Sequence, residues 1–286
     1  MPLSKTLATG LQRASENLPL LFLLWVANAV FGLAAAVVSG FWLSDALGGS
    51  LATRSLAREL DVNVFLELYT YHQDSFRMLL VTIGVLAAFY VLLWCWFDAA
   101  IVQATGRDQR GSLGDILSRA SFDAPVMLRV LVFAWAIQVA LTAFCGAAGW
   151  LCWRATLASS SEMTVYLIGA GTVALWLLFT TAAVAVHDQA RIRACRQHGG
   201  ARAAYRFALG FVLRRRPGAV RLSAVLLGAA FLPWAVYQGI GAVISTQESL
   251  GITGLMIVAD VFLLVRMYVR VWSVAAHGEL QRRAEG

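Results

Sequence analysis

Asp260 lies eight residues inside an apolar stretch that runs from Ile252 to Ala275. A helix over that stretch holds the carboxyl group about 12 Å below one face of a hydrocarbon layer roughly 30 Å thick. An Asp near the centre of a membrane helix costs about 2.5–3.5 kcal/mol, so it needs a partner, a proton or water. Counting about 1.5 Å per residue from Pro19 and Pro125 places Asn28 and Gln138 at a similar depth. Asp260, Asn28 and Gln138 are thus expected to form an intramembrane polar site able to take up a proton or a solute. The plainer expectation is that the amides join helices while a protonated Asp260 donates one hydrogen bond, worth about 0.6 kcal/mol.

A second set of charges falls where apolar stretches end. Phe97-Asp98-Ala99-Ala100 is echoed by His187-Asp188-Gln189-Ala190, and Asp188 stands three residues before Arg191, the spacing of a helical ion pair. Interfacial capping or pairing explains both carboxylates. Arg266 and Arg270, four apart on one helix face, are expected to reach up to lipid phosphates. The histidines, His72, His187, His198 and His277, accompany no HExxH, GxSxG or GxxxxGK[ST] run. Cys95, Cys145, Cys152 and Cys195 make no CxxC spacing and read as small apolar fillers rather than disulfides. Neither a catalytic site nor a metal or cofactor is expected.

The elements that must carry these residues follow from composition. Hydrophobic residues make up 59% of the 286 and charged residues 14%, and the mean hydropathy of +0.70 lies far above that of soluble domains. Six apolar runs are long enough to span a bilayer, at about 18–42, 78–104, 126–153, 163–187, 219–245 and 252–275. The expected fold is all-α: one polytopic transmembrane domain over 1–286, with six helices arranged as three hairpins. The first run is too long for a signal-peptide core and has no convincing cleavage site. The formal charge of +7 could suggest nucleic acid, but its distribution points elsewhere. With the N-terminus inside, nineteen basic residues fall on the cytoplasmic side and only Arg54, Arg58, Arg77 and Arg154 outside. That bias puts both termini in the cytoplasm and attracts the chain to anionic headgroups.

Pro19, Pro125 and Pro217 each begin an odd-numbered run, where a missing N–H costs little. Before each proline lies a short segment with apolar residues at helical spacing: Leu3, Leu7 and Leu11; Leu113, Ile116, Leu117 and Ala120; Ala204, Phe207, Ala208 and Phe211. Each is expected to be an amphipathic helix on the cytoplasmic membrane surface. The third falls in the basic cytoplasmic loop 188–218. There Arg202, Arg206, Arg214, Arg215 and Arg216 would hold lipid phosphates or an acidic partner while Phe207 and Phe211 enter the lipid boundary. The outer loop 43–77 alternates apolar and charged residues, and Pro233 is expected to bend the fifth span.

Asp188-Gln-Ala-Arg191 followed by Phe207-Ala-Leu-Gly-Phe-Val-Leu-Arg-Arg-Arg-Pro217, with a surface helix before each odd span, resembles a group of bacterial six-helix inner-membrane proteins. The group includes stand-alone relatives of the membrane domain of glycerophosphoryl diester phosphodiesterases. In those enzymes a separate barrel carries the chemistry, and no catalytic residue maps onto this chain. The resemblance implies a membrane module that organises or assists a partner. The expected function is therefore a non-catalytic scaffold or accessory subunit in the bacterial inner membrane. Its partners would be the bilayer, anionic headgroups and a membrane protein, and not nucleic acid. The alternative is a transporter or proton-coupled permease centred on Asp260.

Overall fold

The structure, a computed structural model, describes residues 3–47, 66, 69–70, 73–106, 111–156, 162–197, 200–214, 216–243 and 249–285. These form eight helices: α1 (Leu3–Ser15), α2 (Leu18–Leu47), α3 (Gln73–Thr105), α4 (Leu113–Ala155), α5 (Glu162–Gln197), α6 (Ala201–Arg214), α7 (Arg216–Val243) and α8 (Ser249–Glu285). No strand occurs among the described residues. Five helices, α2, α3, α4, α5 and α7, are long and apolar enough to cross a membrane, the pattern of a multi-pass membrane protein. α8 stands outside that set, and Asp260, Arg266 and Arg270 all lie along it. Most of the 43–77 loop lies outside the described residues.

The chain folds as two compact units. One comprises Met1–Leu18, Cys95–Ala230 and Val269–Gly286; the other comprises Pro19–Trp94 and Phe231–Tyr268. In the first, α4 packs on α5 and α5 on α6. Gly149 lets α4 approach α5 closely, since a Cβ there would meet the Thr172 side chain at 2.8 Å. In the second, Tyr90 packs on Phe31 and Trp94, and Tyr237 stacks on Phe262.

Three expectations need correction. The middle surface segment is not a separate helix: α4 runs for 43 residues through Pro125, roughly 65 Å at 1.5 Å per residue. Ser112 caps its start by accepting from the Asp115 N–H at 3.2 Å, and nothing between Ala120 and Pro125 interrupts the helical ladder. α1, by contrast, ends where Asn17 turns its amide back to the Arg13 carbonyl at 2.7 Å. Second, most of 188–218 is not a loop. α5 continues to Gln197 because no glycine or proline occurs between His187 and Gly199, and α6 follows almost at once. Third, the alanines expected to face lipid from α6 are buried in protein. Ala201, Ala204 and Ala208 pack with Val130, Ala190 and Ala194. Phe207 lies beneath the Arg193 guanidinium, 4.1 Å away, and stacks on Phe211. Pro233 sits inside an unbroken α7.

The proline repeat has a physical counterpart. Thr6, Gly10 and Ala14 are buried thirteen, nine and five residues before Pro19; Ala204, Ala208 and Val212 are buried at the same distances before Pro217. Ile116 and Ala120 occupy the last two of these positions before Pro125. Residues four apart share a helix face, so each short segment docks through a stripe of mostly small side chains.

Candidate functional site

The C-terminal ends of α3, α5 and α8 share one burial pattern. Counting from Cys95, Ala185 and Val271, the first residue, the fourth to eighth and the eleventh are buried in all three. Five consecutive buried residues enclose a helix on every side, which places these ends in the interior of the first unit. The register makes Asp98, Asp188 and Val274 equivalent, and likewise Ile101, Arg191 and His277.

Arg191 is fully buried, with 0% of its surface exposed. Its Nη2 lies 2.9 Å from Asp188 Oδ1 and its Nη1 3.6 Å from Asp98 Oδ2. None of its three nitrogens has an aligned hydrogen-bond acceptor, so the attraction is charge on charge. Arg270 completes the balance: its Nη2 donates to both Asp98 oxygens, at 3.0 and 2.9 Å. It is therefore turned into the bundle, not toward lipid phosphate. Two carboxylates and two guanidinium groups tie α3, α5 and α8 together. Burying each charge costs several kcal/mol, which only close, balanced pairing offsets.

Beside this network stands a serine–histidine–aspartate array. Ser223 Oγ on α7 is 2.9 Å from His277 Nε2, and His277 Nδ1 is 2.9 Å from the Ser273 carbonyl and 3.4 Å from Asp188 Oδ2. Both neighbours of Nδ1 are acceptors, so the neutral ring carries its proton there and Nε2 accepts from the Ser223 hydroxyl. Burial holds the His277 imidazole below its ordinary pKa; Asp188 and the Ser273 carbonyl act in the opposite sense, and Arg191 adds to the lowering. The order matches a nucleophile and its base, but attack also needs access and donors for an oxyanion. Ser223 is 1% exposed and lies mid-helix, where the neighbouring N–H groups are spent on the helix. Ser223, His277 and Asp188 are all buried.

Further contacts fasten α6 and α1. Tyr205 on α6 meets His187 Nδ1 at 3.0 Å and donates to the Val130 carbonyl at 3.2 Å; burial, with the Asp188 charge, raises its phenol above the ordinary range. α1 is held by Trp272 Nε1 donating to the Leu7 carbonyl at 2.9 Å and by Arg13 donating to the Thr105 carbonyl at 3.0 Å. Burial pushes the Glu279 carboxyl up, but the hydrogen bond from Arg283 and the charges of Arg282, Arg283 and Arg13 outweigh it and hold the group below its usual range.

Of the residues expected to form a midplane site, Asn28 and Gln138 have the following polar partners. Asn28 donates to the Leu24 carbonyl at 2.7 Å and to Met267 Sδ at 3.4 Å, and accepts from the Tyr90 hydroxyl. Gln138 donates to Thr180 Oγ1 at 3.2 Å. Asp260 is exposed. Arg202, Arg206 and Arg214 are exposed on α6; Arg215 and the side chain of Arg216 lie outside the described residues. The expected Asp188–Arg191 pair forms. The parts of the network contributed by Arg270, Ser223 and His277 were not expected. The echo after Asp98 and Asp188 could have led to them, because Ala100 and Ala190 are matched by Ala276, next to His277. No family model, curated protein or solved structure matches this chain.

Proposed function

We propose that the chain is a six-span protein of the bacterial inner membrane, both termini cytoplasmic, acting as a non-catalytic scaffold at an anionic membrane surface. The observation that carries the reading is the seating of α6. Its small-residue stripe is buried against α4 and α5, which leaves Arg202, Arg206, Leu209 and Leu213 outward along one face. That face pairs guanidinium groups with apolar side chains, the composition that lies at a headgroup boundary. Each basic residue near an anionic surface contributes about 1 kcal/mol. In mixed phosphatidylglycerol–phosphatidylcholine bilayers, changing Arg202, Arg206 and Arg214 together to Gln should reduce enrichment of labelled phosphatidylglycerol around the protein several-fold. Added salt should do the same to the unaltered chain. Equal enrichment in both chains, insensitive to salt, would remove the basis of this reading.

The six-span layout draws support from the nineteen-to-four charge bias and from the threefold burial pattern, which gives α8 the same enclosed end as α3 and α5. It predicts opposite sides for Arg154 and Arg202. In a Cys152→Ser background, Arg154→Cys should react with an impermeant maleimide added outside intact cells, and Arg202→Cys only after lysis. Labelling of both from one side would contradict the layout.

A further inference from the structure

A cleft of about 580 Å³ opens in the first unit, lined by Val102, Gln103 and Gly106 of the α3 end, Arg119, Phe122 and Asp123 of α4, and Cys195 and Arg196 of α5. Its volume falls in the range of small-ligand pockets. The internal repeat explains why space remains here.

The same place in the neighbouring repeat is occupied. Arg13 stands six residues before Pro19, as Arg119 does before Pro125. Glu279 follows His277 by two residues and Arg282 follows it by five, as Gln103 and Gly106 follow Ile101. Around Arg13 the protein supplies its own partners. Glu279 Oε2 lies 3.8 Å from Arg13 Nη2 and 3.1 Å from Arg282 Nη2, while Arg282 Nη1 donates to the Gly106 carbonyl at 3.3 Å. At the cleft each of these partners is lost. A neutral amide replaces the Glu279 carboxylate, and it donates to Asp123 Oδ2 at 2.7 Å. Glycine replaces Arg282, and a Cβ at Gly106 would press to 2.8 Å on the Val102 carbonyl, so the position stays without a side chain. Arg119 is exposed and, among the described residues, has neither a hydrogen bond nor an ion pair.

We propose that this cleft binds one oxyanion, a phosphate or carboxylate group, in the place that Glu279 fills in the neighbouring repeat, with Arg119 as its principal contact. A guanidinium fork matches either group, and Arg196, which also lines the cleft and donates to the Gly278 carbonyl at 3.4 Å, adds positive charge. Phe122, 80% exposed on the same rim, offers an apolar surface to whatever carries the anion. Asp123 also lines the cleft; it is buried, accepts from Gln103 and is hydrogen-bonded to the Cys195 thiol. No α6 residue lines the cleft, so the site is distinct from the α6 face.

The chain carrying Arg202→Gln, Arg206→Gln and Arg214→Gln is reconstituted in phosphatidylcholine nanodiscs, so that α6 contributes nothing. It is titrated with short-chain phosphatidylglycerol followed by native mass spectrometry, and in parallel with inorganic phosphate followed by calorimetry. One saturable site per chain is expected, weakened about tenfold or more by Arg119→Gln and partly restored by Arg119→Lys, which keeps the charge. Arg119 is exposed, so its replacement leaves the packed core intact. Saturation by phosphatidylglycerol alone assigns the oxyanion to a lipid headgroup, whereas saturation by inorganic phosphate as well assigns it to a free anion. Absence of a saturable site for both probes, or equal binding by the Arg119→Gln chain, overturns the proposal.

Discussion

Arg191→Met is expected to destabilise the protein by about 3–5 kcal/mol, the usual cost of leaving a buried charge without its partner. Without the guanidinium, Asp188 keeps, among the described residues, the Ser273 hydroxyl at 3.3 Å and His277 nearby, and Asp98 keeps Arg270. A negative charge inside the first unit is then uncompensated. Replacing Asp188 and Arg191 together, by Asn and Met, leaves the Asp98–Arg270 pair balanced, so the double variant should lose less than the two single variants combined. A double-mutant cycle in mixed detergent micelles measures this coupling, expected between about 0.5 and 3 kcal/mol for groups in one network. Additive losses would mean that Arg191 contributes packing rather than charge.

Gly10→Val should detach α1. A Cβ at Gly10 would stand 2.8 Å from the Ala276 Cβ and 2.9 Å from the Ala276 Cα and N. The Cα and N are backbone atoms in the enclosed part of α8 and the Cβ is fixed directly to them, so none can yield as the end of a flexible side chain would. Overpacking of this kind costs about 1–3 kcal/mol, and a β-branched residue adds further atoms at the closest point. The hydrogen bonds from Trp272 to the Leu7 carbonyl and from Arg13 to the Thr105 carbonyl would be lost with the docking. Faster amide exchange across Leu3–Ser15, with the end of α8 still protected, is the expected reading. Unchanged protection of α1 would show that the contact can relax. Ala8→Val, on an exposed position of the same helix, serves as the control.

Both predictions concern residues only partly legible beforehand. The proline repeat marked the three short segments, and their apolar spacing placed helices there. Spacing alone could not say which face turns inward, because leucine or phenylalanine stripes suit a lipid boundary and small-residue stripes suit close helix packing. In α6 the alanines won the interior, since they allow backbones to approach where Phe207 and Phe211 would not fit. Arg270 was misplaced for a related reason. An arginine near a span end has a low-cost route to phosphate, and only the position of Asp98 on another helix, 172 residues away, draws it inward.

By itself the sequence determined the helical class, the long apolar helices, the helical short segments before the three prolines and the local Asp188–Arg191 pair, because each depends on residues within a few turns of one another. The tertiary structure decided which charges share an interior, which side of each short helix is spent on packing, and why one repeat has an open cleft where its neighbour is filled. Those outcomes depend on side chains far apart in the chain meeting across helices. Burial then sets their energy, since a guanidinium group that is inexpensive in water must find its carboxylates once it is enclosed.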